Sequence, residues 1–287
     1  MTRILSCLFC LFCLVVDSGD IEAAPVPDGE ILNDIVRVMY QGGEKLVYRV
    51  SWSGGIKIGE LQMEVIQVAD QENTFELRAT VRDSGLFHFF YPVNDSFVTR
   101  VVGDKRLPAS YEVIQREGSD YRARRHTEYD QQTGRIRYQK NDQEPVYYQV
   151  DGEVHNEFSS FFFTRSMQLL QNETVVVPTF VDGKRHEVLV RIGEETRVRD
   201  TIRGDLNVVP ITPVMKFKGL YDKDGDTVIW MSNDLCRIPV RINSKILIGS
   251  LTADLVSYVN PLCPNQSAYH VRIPENMVQQ QGLGQGD

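Results

Sequence analysis

Outside its first two dozen residues, this 287-residue chain has little of what catalysis, metal binding or membrane insertion needs. Its histidines, His88, His126, His155, His186 and His270, stand far apart. The HEVLV stretch at 186–190 lacks the second histidine of a zinc-protease helix and lies in a strand pattern. No Gly-x-Ser-x-Gly elbow or phosphate-cradling glycine loop occurs, and past the N-terminal run there is no Cys-x-x-Cys pair. No acid–base pair stands at a telling local spacing. The chain is therefore read as non-catalytic, with no cofactor and no metal; a triad assembled from distant residues is the alternative that leaves no local trace. A membrane helix needs about 20 consecutive apolar residues. The longest apolar run, ILSCLFCLFCLVV at 4–16, falls short.

That run follows Arg3 and precedes IEAAPVP, the layout of a secretory signal peptide over residues 1–24, cleaved after Ala23 or Ala24. Cys7, Cys10 and Cys13 lie inside it. Two of them follow phenylalanine, where a lipid-attachment site wants a small residue, and Cys7 is too near the start. They are read as apolar filler. The exported chain then divides into a lead segment, 25–42, a β domain, 43–262, and a flexible tail, 263–287, rich in glycine and glutamine. Its charge, −8 for the whole sequence, argues against nucleic acid or an anionic membrane as partner. Only Cys236 and Cys263 remain after the leader. An oxidising compartment makes a disulfide between them the default reading and two free thiols the alternative.

What the chain does have is alternation. NTFELRATVRD sets Phe75, Leu77, Ala79 and Val81 against Glu76, Arg78, Thr80 and Arg82. GELQMEVIQV, KLVYRVSW and RIPVRIN repeat the pattern, and glycine-bearing turn signals separate the segments. Roughly fifteen such strands fit between residues 45 and 259. A membrane barrel would turn its apolar face outward, and each mid-bilayer charge there costs about 2–4 kcal/mol. Arg, Glu and Asp mark the polar face of most strands, so a water-exposed sheet is expected. HNEFSSFFFTRSMQLLQN, 155–172, breaks the period: Phe158, Phe161, Phe162, Arg165 and Leu169 recur at helical steps, with Asn156 or Ser159 as cap. The expected fold is all-β: a single large antiparallel spiral or open barrel, with one main helix on its concave side. Phe158, Phe161, Phe162 and Leu169 are candidate lining for a ligand cavity there.

Three stretches invite a sharper reading. Asp222, Asp224 and Asp226 suggest a calcium loop, but positions six and twelve counted from Asp222 are Thr227 and Asn233, not Gly and Glu. Asp224-Gly225 between strand-like runs reads as a hairpin turn. RARRHTEYD, 122–130, reads as a solvated strand face, with an anion-binding face for glycan or lipid headgroup as the alternative. LFHFFYPV, 86–93, is either a doubly buried strand or a loop that grips a ligand.

GLYDKDGDTVIWMSNDLCRIPVRINSKILIGSLTADLVSY carries Trp230, Ser232, Asp234, Arg237, Pro239, Val240 and Gly249 in order. This pattern resembles the closing part of the exported bacterial proteins called domain of unknown function 3108. GEKLVYRVSWSGGIKIGELQMEV resembles that family's opening hairpin, and the 157–190 stretch its central helix and following hairpin. The likeness covers about residues 43–259. It implies an envelope protein of a Gram-negative bacterium, in the periplasm or at the outer membrane, and brings no reaction. The motif residues are read as a structural corner. The expected role is binding or scaffolding, with a hydrophobic small molecule, a lipid or an envelope protein as partner. An envelope enzyme acting on cell-wall or lipid substrates is the alternative.

Overall fold

Alternation drives the observed architecture. The computed structural model describes residues 30–263, except 42, 54, 90, 182, 215–226, 247 and 248. The expected leader, the residues beyond Cys263 and the turn holding Asp222, Asp224 and Asp226 lie outside the described residues. Fifteen strands follow one another: β1 (Lys45–Trp52), β2 (Ile56–Gln67), β3 (Thr74–Asp83), β4 (Asn94–Val102), β5 (Leu107–Glu117), β6 (Tyr121–Asp130), β7 (Arg135–Lys140), β8 (Val146–Gln149), β9 (Thr174–Val181), β10 (Lys184–Ile192), β11 (Thr196–Thr201), β12 (Gly204–Val214), β13 (Thr227–Ser232), β14 (Pro239–Lys245) and β15 (Ser250–Val259). All pair antiparallel in one sheet, ordered β8-β7-β6-β5-β4-β3-β2-β1-β15-β14-β13-β12-β10-β9, with β11 beside β12. Two meanders thus meet where β1 pairs with β15, and the sheet ends at β8 and β9 without closing.

In β3, Phe75, Leu77, Ala79 and Val81 are buried while Arg78 and Arg82 face water. The same phase in β1, β2, β4 and β5 gives a concave face that is apolar over most of its area. Two helices fill it. One is the expected helix, α2 (Glu157–Ser166), which stops at the extended Met167, so Leu169 packs from the segment after the helix and not from its face. Asn156 caps it: its side-chain oxygen accepts from the N–H of Phe158 at 3.0 Å and of Ser159 at 2.7 Å. Ser159 Oγ accepts from the Asn156 N–H in return. The other, α1 (Asn33–Gln41), falls in the lead segment, where no element was expected. Its signal was present, because Ile35, Val36, Met39 and Tyr40 recur at helical steps and are buried. Tyr40 meets Phe75 edge-on at 5.3 Å, and Arg106 lies over both rings.

The open edges are bridged rather than zipped. His155, in the link from β8 to α2, donates its N–H to Pro178 O and accepts the N–H of Phe180. Gln131 bonds the main chain of Val154 and Pro108. Tyr148 of β8 packs its ring 5.4 Å from Phe180 of β9. Gly183, at φ +77°, leaves room for that ring; a Cβ there would sit 2.7 Å from it.

Candidate functional site

The sequence-predicted residues sort into two groups. Trp230, Ser232, Asp234, Arg237 and Pro239 form a corner between β13 and β14. Asp234 Oδ1 accepts from Ser232 Oγ at 2.8 Å and from the N–H groups of Cys236 and Arg237. Ser232 Oγ in turn accepts the Ile238 N–H at 2.7 Å. Asp234 therefore holds the Arg237 backbone, at φ +47°, rather than its guanidinium. Burial pulls the Arg237 pKa down to about 10. Trp230 points away from the corner, its indole N–H donating to Asn243 on β14. Pro239 O accepts the Tyr48 hydroxyl at 2.8 Å. Cys236 is bonded to Cys263, with Cα atoms 5.5 Å apart.

The corner also anchors a charge. Arg165 of α2, wholly buried, donates to Arg237 O at 3.0 Å and makes a two-pronged ion pair with buried Glu44 at 2.7 and 2.8 Å. Tyr258 donates to the same carboxylate at 3.1 Å. A buried bidentate pair with these extra bonds fixes helix, strand and corner in one register. These residues have partners inside the fold and read as structural.

Phe158, Phe161, Phe162 and Leu169 are buried in the core cluster. Phe162 meets Phe158 and Phe161 edge-on at 5.2 and 5.4 Å. They occupy the concave side by packing on each other. A cleft of about 460 Å³ lies elsewhere, at one end of β1, β2 and β15, lined by Arg49, Ser51, Lys57, Ser250, Thr252 and Asp254.

A second polar group lies where only apolar side chains were expected. Asp95 of β4 and Gln115 and Glu117 of β5 fall on the concave phase of their strands and are buried. Gln115 donates to Glu117 at 2.9 Å, and its oxygen accepts from Arg125 at 2.7 Å. Asp95 accepts the Arg116 N–H at 2.9 Å. The two carboxyls are hydrogen-bonded to each other. Burial, then the charge of Asp95, pushes Glu117 up to about 7; burial raises Asp95 as well. Two adjacent carboxylates cannot both ionise cheaply, so they share a proton near neutrality. Tyr91, over the end of β5, donates to Glu117 at 3.2 Å, and its own pKa rises to about 12 through burial and that neighbour. The group can give or take one proton, or hydrogen-bond a polar headgroup. The sequence signal for it was a carboxylate in phase with Phe97 and another in phase with Tyr111 and Val113.

The connection from β3 to β4 sits above these carboxyls. It is not a strand: Gly85–Phe89 form one 3-10 turn, and Phe89 is 81% exposed. Asp83 clamps it, accepting the Val93 N–H and contacting His88 Nδ1, both at 2.6 Å. β6 has the solvated face expected of it, with Arg122, Arg124 and Glu128 outward.

The family model for "Protein of unknown function (DUF3108)" matches residues 47–256. The chain belongs to this family. The match takes in Trp230 to Pro239, α2 and the Asp95–Glu117 pair. No curated protein is significantly similar to this DUF3108 chain in sequence. Among solved structures it is similar to a β-barrel-like protein of domain of unknown function DUF1849 from Brucella abortus, with TM-score 0.53 and 10% identity over 77% of this chain and 98% of that one. At that identity the likeness shows the fold alone.

Proposed function

We propose that this protein is exported to the cell envelope of a Gram-negative bacterium and acts there, without catalysis, as a binding or scaffolding protein. One observation carries the reading: the concave side is taken up by the protein's own side chains. Phe158, Phe161 and Phe162 pack edge to face, and the Arg165–Glu44 pair locks α2 in place. An open sheet filled by its own side chains presents its surfaces and hairpin tips, not an internal chamber. The ligand is a lipid or an envelope protein held at the exterior.

Fractionation of the source cells, with native mass spectrometry of the extracted protein, tests this. The expected result is a processed chain in the envelope fraction, free of a stoichiometric internal lipid, that photo-crosslinks to a lipid or protein from surface positions. An unprocessed cytoplasmic chain would overturn it. The Asp95–Glu117 pair favours a second reading, an envelope hydrolase using the shared proton. Tyr91 and the burial of both carboxyls leave them covered, so that reading requires Tyr91 to swing away. Turnover of cell-wall or lipid substrates that Glu117→Gln abolishes would establish it.

A further inference from the structure

The meander β1–β8 turns alternately at two rims. At one rim, the β2–β3, β4–β5 and β6–β7 turns carry no exposed large apolar side chain among the described residues. The other rim differs. Its register runs in one row: Gly59 opposite Asp83, Asp83 bonded to Val93, Val93 opposite Glu117, Glu117 opposite Tyr121. At or beyond that row stand three large apolar side chains, Ile56 at 59%, Phe89 at 81% and Tyr121 at 41% exposed. Ile56 opens β2, Phe89 lies in the β3–β4 connection and Tyr121 opens β6, so each stands at a different turn of this rim. A single exposed apolar residue means nothing. Three at successive turns of one rim, against none on the intervening turns of the same meander, is a directional feature of the meander; Val259 and Leu262, exposed at the other rim, lie where β15 leaves the sheet. Phe89 is also held firmly, because Asp83 clamps the connection from both sides through His88 and the Val93 N–H.

Beside these tips, on the convex face, Arg116 and Arg122 are directly opposite cross-strand neighbours. Like charges in that position repel. Neither guanidinium has a carboxylate partner among the described residues; Arg122 donates only to main-chain oxygens, that of Tyr121 at 2.8 Å. Asp83, in the same row, is engaged by His88. An anion lodged between the two arginines relieves the repulsion with charge-assisted hydrogen bonds.

We infer that this rim is a membrane-docking surface, with Phe89, Tyr121 and Ile56 entering the acyl boundary of a bilayer while Arg116 and Arg122 take the phosphates of anionic lipid headgroups. The reading deepens the envelope role proposed above. Lipid fits better than a protein partner because the apolar residues are separate protruding tips, not one contiguous face, and a fluid bilayer closes around each. The chain's overall charge of −8 does not prevent this. Fields beyond about 8–10 Å are screened at cellular salt, so the local arginine pair governs.

Co-sedimentation of the purified protein with phosphatidylglycerol–phosphatidylcholine vesicles, and with phosphatidylcholine vesicles alone, tests the inference. Binding to the anionic vesicles is expected, weakening as salt rises. Phe89→Ser should weaken it about tenfold or more. Arg116→Ser and Arg122→Ser should each weaken it about fivefold on anionic vesicles only. Ile202→Ser, exposed on the β11–β12 turn, should change nothing. Circular dichroism confirms that each variant folds, and Tyr121→Ser serves as a second tip variant. Absence of vesicle binding overturns the inference, as does binding that the tip and arginine variants leave unchanged. A cytoplasmic location would instead sink the envelope reading, whatever the vesicles show.

Discussion

Glu117 and His155 are two buried titratable groups with opposite consequences for stability. The Glu117 carboxyl titrates at about 7 when folded against 4.5 unperturbed, so the folded state binds its proton more tightly. Its stabilising contribution is whole below about pH 4.5 and is lost as pH rises through about 7. Asp95, also raised, acts in the same direction. Glu117→Gln should therefore flatten the loss of stability between about pH 5.5 and about pH 8 in urea melts. His155 is the reverse. Burial depresses it from 6.5 to about 3, so its contribution is present above 6.5 and fades as pH falls toward 3. Its ring lies 4.4 Å from Phe163, with Ser159 Oγ 3.3 Å from Nδ1. His155→Gln should lessen the acid sensitivity measured in the same melts. A variant as pH-sensitive as the parent contradicts the corresponding assignment. Neither residue stood out in the sequence by its neighbours. Each was given its pKa by a burial that only packing creates.

At the scale of the element, α2 and the sheet hold each other. Phe162→Ala should cost about 3–5 kcal/mol in chemical denaturation, because the side chain is fully enclosed. Stability equal to the parent's would show that the helix face is not a core element. Arg165 gives a sharper test. Arg165→Met leaves the Glu44 carboxylate buried and unpaired, which should cost about 3–5 kcal/mol. Adding Glu44→Gln should recover a large part of that loss; equal losses in the single and double variants would show that the pair is not coupled. The period of the 155–172 stretch made α2 readable. The same reasoning applies to α1, whose i to i+4 apolar pairs lie in a stretch with no glycine or proline interruption. A nine-residue helix is marginal alone and exists here because Tyr40 and Met39 reach the sheet.

At the scale of the molecule, the Cys236–Cys263 bond ties the exit of β15 to the β13–β14 corner. It spans 27 residues, so the chain-entropy model gives about 3–4 kcal/mol. Cys236→Ser/Cys263→Ser should lower stability by about that amount. Two reactive thiols in the unreduced, unfolded parent would show that the bond is absent. The seam between β8 and β9 has no strand pairing, only the His155 bridge and the Tyr148–Phe180 ring contact, so the amides of β8 and β9 should exchange faster than those of β1 and β15, which are paired on both sides.

Alternation, turn residues and one helical period determined by themselves that this chain makes an antiparallel sheet of about fifteen strands around an aromatic helix. These are local facts: period two or period 3.6 says which residues share a face before any partner is known. Past residue 24 the sequence holds two cysteines, Cys236 and Cys263, and these form the bond. What only the tertiary structure decided is which strands meet. It joined β1 to β15, brought Glu44 to Arg165 across the chain, and set Arg116 opposite Arg122. It also turned Asp95 and Glu117 inward against each other, where burial gives two ordinary carboxyls one shared proton. Those outcomes depend on strand order, register and curvature, which arise from contacts between residues far apart in sequence and leave no periodic signal in it.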